Sequence, residues 1–216
     1  MTDAPLVRRY PSARYLGEMF RARFLSDPAP EDAVPARRLN ADDGFAEAVL
    51  ALRDEEAVGI PLGDDWGVIR RDAVDRVIFR CWLFGIITLV EMRLRGELAR
   101  RGPERWYQFL SPARVDKARA MKRHRQTLGQ DVDTIHNLQF GDLGIIAIRD
   151  DEIFDSMRFE SKRKAKEFIH ELETLRNNLA HSQEIARWNW PVIVQIAEIS
   201  RRIIAGESPI GHPGER

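Results

Sequence analysis

Arg176, Asn177 and His181 stand within six residues of one another in the stretch LRNNLAHS, residues 175–182. These side-chain types suit an anionic centre at which a proton must move. A guanidinium holds an oxyanion through paired N–H donors, an imidazole gives or takes a proton near neutral pH, and an amide can orient that imidazole or contact a phosphate. With about 100° of rotation per residue and Leu172 set at zero, Phe168, Leu175 and Leu179 fall within about 60° and form a core stripe. His170, Asn177 and His181 fall at about 160°, 140° and 180° on that wheel, away from the stripe. Arg176 lies about 140° from His181, so one straight helix does not aim both at one spot. Two such helices facing each other across a two-fold axis would bring the arginine of one subunit toward the histidine of its partner. A plainer account is also open. His181 would then answer a helix macrodipole, and Arg176 would pair with Glu173 or Glu171.

A second group of cations is Arg114, Lys117, Arg119, Lys122, Arg123 and Arg125, set against Asp116 alone in RVDKARAMKRHRQ. Such a run is either a solvated helix face or a rail for phosphates. SKRKAKE, opening the motif helix at 161–167, could extend the rail. His124, His136 and His212 are scattered without metal-ligand spacing, so neither a metal nor a cofactor is expected.

These groups need elements to carry them. The proline-spotted stretch SDPAPEDAVP at 26–35 predicts a loop. A short helix is expected from Asp42, with Asp42 or Asp43 as N-cap and Phe45, Ala46, Val49 and Leu52 on one face. AVGIPL and WGVI, parted by Gly63-Asp64-Asp65, read as a β-hairpin, and RRDAVDRV as the opening of a helix. A long helix is predicted from Val77 to about Arg101, stopped by Gly102-Pro103, with further helices over 113–128, 161–187 and 190–205. The tail at 206–216 is expected to be disordered.

The chain has 216 residues, 34 Lys+Arg against 34 Asp+Glu, and 44% hydrophobic residues, the composition of a folded soluble protein. Zero net charge leaves any attraction for an anionic partner to a local patch. The single cysteine, Cys81, excludes an internal disulfide framework, and the longest apolar run, Cys81 to Val90, is too short to span a bilayer. A cytoplasmic protein without membrane contact is expected, since no signal-peptide pattern opens the chain.

LRNNLAHS resembles the signature of the HEPN domain family: an arginine, a polar residue directly after it, and a histidine four to six residues further on. GIITLVEMRLRGEL is similar to the first helix of that family, with Glu91, Arg93 and Arg95 in its polar positions, and HNLQFGDLGIIAI to a segment between helices in several members. The resemblance covers about 79–205. It implies an all-α bundle that dimerises across the motif helices and, in many members, cleaves RNA without a metal, in some settings as a toxin held by an antitoxin partner. Arg176, Asn177 and His181 would then be the catalytic group, and the 114–125 cations the RNA-binding residues. Cleavage by the neighbouring 2′-hydroxyl needs a base, an acid and a cation at the phosphate, which these residue types supply. Other members bind RNA or proteins without cutting.

Residues 34–78 resemble one CBS (cystathionine β-synthase) repeat: strand, helix, strand pair, and a glycine turn into a helix. Such modules pair and often bind adenine nucleotides. This chain departs from their pattern, with Arg70 at the hydroxyl position after Gly67 and Asp72 one residue early. GIITLVE, with Gly85, Thr88 and Glu91, keeps the spacing but lies inside a helical run. The expected architecture is therefore mainly α: an N-terminal extension at 1–33, a small α/β CBS-like module at 34–78, and a HEPN-like helical bundle at 79–205 forming a homodimer. The rival expectation is a non-catalytic dimerisation and interaction module whose CBS-like half is a sensor or docking surface.

Overall fold

A computed structural model describes residues 27–29, 34–40, 42–62, 65–157, 159–187 and 189–204. The fold is mainly helical with one small antiparallel sheet. Most of the N-terminal extension and the whole 206–216 tail lie outside the described residues, and so does His212. The chain divides into two compact units, one built from residues up to 85 together with 178–205, the other from 86–177.

In the first unit, strands β2 (Ala57–Leu62) and β3 (Asp65–Arg70) form the expected hairpin, with Val58 opposite Ile69. Strand β1 (Asp27–Ala29) pairs with the other side of β3, giving the order β1-β3-β2. The loop expected at 26–35 thus contains a short strand. It sits at a sheet edge, where Pro28 lacks no ladder donor that a second neighbour would need. Arg38 bridges Gly59 in parallel, and a Cβ at Gly59 would lie 2.4 Å from Val34 Cγ1, so only glycine admits this approach.

Helix α1 (Phe45–Ala51) starts later than expected, capped by Gly44, whose N–H donates to Glu47 Oε2 at 3.1 Å. Asp43, one of the two expected caps, instead accepts the Asn40 N–H at 2.7 Å. Its carboxylate is occupied by the preceding turn. RRDAVDRV yields a 3₁₀ turn, Arg71–Asp75, and then a break, because Arg76 takes an extended ψ of 144° before the next helix. Val49, Leu52, Val58, Ile69, Val74, Phe79 and Leu83 are fully buried, and Phe45, Phe79 and Trp82 cluster at ring separations of 4.9–6.2 Å. The last helix, Trp190–Ile204, packs against α1.

Helix α2 (Val77–Arg101) has the bounds that its leucine and isoleucine spacing predicts, and it carries GIITLVE within it. Ile87, Val90, Leu94 and Leu98 lie in the core of the second unit. Gly102, at φ +82°, ends α2, and Pro103 opens α3 (Pro103–Tyr107). Helix α4 (Pro112–Thr127) carries the basic run. Helices α5 (Phe140–Arg149) and α6 (Asp151–Met157) follow in a region where no helix was expected, α5 starting within the HNLQFGDLGIIAI segment and ending one residue past it. Helix α7 (Lys162–Ala180) carries Arg176 and Asn177 of the motif, and His181 follows just past its end. A Cβ on Gly144 of α5 would sit 2.3 Å from Ile169 Cγ2 of α7, so these helices approach as closely as a glycine permits.

One further expectation is revised. Helix α7 stops at Ala180 rather than 187, because Ser182 enters the left-handed region at φ +55° and the carbonyls at the helix end are satisfied from elsewhere. The final helix, α8 (Trp190–Ile204), belongs by its contacts to the unit that holds the sheet.

Candidate nucleic-acid interface

The second unit holds a polar cleft of about 620 Å³. Five cations line it, Arg95, Arg114, Lys117, Arg125 and Arg176, together with three carboxylates, Glu91, Asp142 and Glu173. His136, Asn137, Gln139 and Asn177 add further hydrogen-bonding groups.

Helical period puts the α4 cations there. Arg114, Lys117, Met121 and Arg125 recur at three- and four-residue steps, so they share the face that meets the cleft. Arg119, Lys122 and Arg123 are absent from its walls. Arg119 lies 4.9 Å from the centre of the Tyr107 ring and 3.9 Å from Asp116, and Lys122 pairs with Asp133 at 3.9 Å. Half of the predicted rail is thus turned elsewhere.

Carboxylates hold several of the arginines. Glu91 accepts from Arg95 Nη2 at 2.6 Å through one oxygen and lies 3.7 Å from Arg176 Nε through the other. Arg95 also donates to the Ile135 and Leu138 carbonyls at 2.5 and 2.9 Å, fixing the 3₁₀ turn Thr134–Asn137 that forms one wall. Arg114 donates to Asp142, whose other oxygen caps α5 by accepting the Gln139 N–H at 3.1 Å. Asn137 donates to the Asp133 carbonyl at 3.1 Å, while its buried Oδ1 has no donor. Among the described residues, Lys117 and Arg125 have no carboxylate partner. They are the cations on these walls whose charge no carboxylate of the described chain answers.

No family model, curated protein or solved structure matches this chain. The interface is therefore read from its own chemistry. Arg176 and Asn177 line the cleft, with Arg176 half-buried on the flank of the Phe168/Leu172/Leu175/Leu179 stripe, all four of which are buried. His181 belongs to the first unit, exposed in the turn after α7, and is not a lining residue. His136, Asn137 and Gln139 were not singled out for this role from sequence. They lie in a 3₁₀ turn and a cap, which leave no periodic signal.

Among the described residues no group of three or more His, Cys, Asp or Glu side chains converges as a metal site, and no helix is long and apolar enough to cross a membrane. Gly67 and Arg70 lie on β3 and Asp72 is exposed in the 3₁₀ turn that follows.

Proposed function

We propose that the protein binds RNA through this cleft and cleaves it as a metal-independent, HEPN-type endoribonuclease acting as a homodimer. The observation that carries the reading is the meeting of two sequence signals in one cleft: Arg176 and Asn177 of the motif, and Arg114, Lys117 and Arg125 of the basic run. Lys117 and Arg125 take backbone phosphates, and Arg176 stabilises charge at the phosphate being cut. In the reaction, the 2′-hydroxyl loses its proton to a base and attacks the adjacent phosphorus. The bond to the 5′-oxygen breaks, that oxygen takes a proton from an acid, and the products are a 2′,3′-cyclic phosphate and a free 5′-hydroxyl. His181, or one His181 from each subunit, supplies the base and the acid. A toxin or defence role with an antitoxin partner accords with this chemistry.

The test uses a mixed RNA pool with EDTA present. Wild type leaves cyclic-phosphate ends, His181→Ala abolishes cleavage, and Arg176→Ala lowers the rate by about 10²–10³. Neither variant changes the melting temperature by several degrees, because both side chains lie off the core stripe. An active His181→Ala protein would place the base elsewhere.

One observation favours a second reading, a non-catalytic interaction module: Arg176 is engaged by Glu91 at 3.7 Å, as a structural arginine would be. In that case wild type cuts nothing, and both variants melt lower.

A further inference from the structure

The end of helix α7 poses a problem that two residues far back in the chain solve. A helix leaves its last carbonyls without intrahelical donors. Here Arg80 Nη2 donates to the Asn178 and Leu179 carbonyls at 3.1 and 3.3 Å, and its Nη1 reaches the Gln183 carbonyl at 2.8 Å. One planar guanidinium fork thus spans both sides of His181. Asp75 lies 3.3 Å from Arg80, and its two oxygens accept the N–H groups of Ile185 at 2.8 Å and Ala186 at 3.2 Å.

The turn between is tight. Gln183 N–H donates to the Asn178 carbonyl at 2.9 Å, and Ser182 holds a positive φ that non-glycine residues seldom adopt unless their surroundings impose it. His181 and Ser182 stay exposed while the backbone on either side is tied down. Arg80 and Asp75 are themselves mostly buried, with 16% and 28% of their side chains accessible.

We propose that Asp75 and Arg80 are positioning residues for His181. The segment that closes the CBS-like module thereby sets the geometry of the motif turn. This rests on the ribonuclease reading, in which the imidazole must be held at the reacting phosphate. A fixed turn supplies that orientation before substrate arrives.

The variants are Asp75→Asn, which keeps the shape but drops the charge and one acceptor, and Arg80→Lys, which keeps the charge but loses the planar fork whose two nitrogens reach both sides of the turn. On a mixed-sequence single-stranded RNA pool, each lowers kcat at least about ten-fold while KM stays within about two-fold, the signature of lost transition-state geometry rather than lost binding. Side-chain NMR shows the His181 ring signals shifted and broadened in both variants. A kcat within two-fold of wild type, with faster amide exchange at Gln183, Ile185 and Ala186, would make the clamp purely structural and overturn the proposal. If wild type cuts no RNA, the ribonuclease reading fails separately and the NMR decides. Unchanged His181 signals in Asp75→Asn then overturn the positioning claim, and altered signals with unaltered RNA affinity uphold it.

Discussion

Glu91 is shared by two guanidiniums, those of Arg95 and Arg176, on the wall of a cleft that gathers positive charge. Its carboxylate keeps Arg176 in place and also repels a phosphate. On the proposed RNA-binding reading, Glu91→Gln is expected to tighten RNA binding by about 1 kcal/mol, roughly five-fold in Kd, while lowering stability by about 1 kcal/mol as Arg95 loses a charged acceptor. Fluorescence anisotropy with a labelled RNA and a thermal melt measure the two effects, and equal or weaker binding would contradict the first. At this scale the sequence was legible where periodicity applies. The turn of α4 separates Arg114, Lys117 and Arg125 from Arg119, Lys122 and Arg123, although a linear run of cations does not announce that division. Glu91 as the partner of Arg176 was not legible, because the two are 85 positions apart in the chain and local spacing carries no pairing information.

Helix α6 begins at an ion cluster built on a buried carboxylate. The Asp150 carboxylate, 2% exposed, accepts from Arg105 Nε at 2.9 Å and from the Ile153 N–H at 3.2 Å, with Arg101 at 3.4 Å. Burial disfavours its ionised form, but the bonds from Arg105 and Ile153 and the nearby guanidinium charges outweigh that and hold the carboxyl below its usual value. A depressed carboxyl adds stability that is complete above the unfolded value, about 3.9, and is lost as pH falls through the lower folded value. Asp150→Asn is thus expected to cost about 1–3 kcal/mol at pH 7, with the gap to wild type closing below about pH 4. Urea melts of both proteins at pH 7 and pH 3 test this; an equal gap at both would show that Asp150 acts only by packing. Helices α5 and α6 escaped the sequence reading for a related reason. FGDLGIIAIR is short and apolar, the kind of run in which periodicity cannot tell one element from another, and the caps at Gln139 and Asp150 are contacts rather than composition.

For the whole molecule, sedimentation at micromolar concentration is expected to give twice 24.9 kDa, as the proposed two-fold arrangement of motif helices requires. A clean monomer would remove the dimeric part of the reading. The apolar faces of α1 and α8 are legible as stripes, but nothing in their spacing says that they cover each other across some 140 intervening residues. That long-range pairing has a consequence for how the protein comes into being. Residues 86–177 are contiguous and can collapse as soon as they leave the ribosome, whereas the sheet-bearing unit lacks its closing helix until residue 204 has been synthesised. At about 5–20 residues per second, the hairpin and α1 wait on the order of ten seconds with the surface meant for α8 uncovered. The Asp75 and Arg80 clamp cannot close before Ala186 is made. A nascent chain therefore carries the whole Arg-Asn-His motif for a time before its histidine turn can be set.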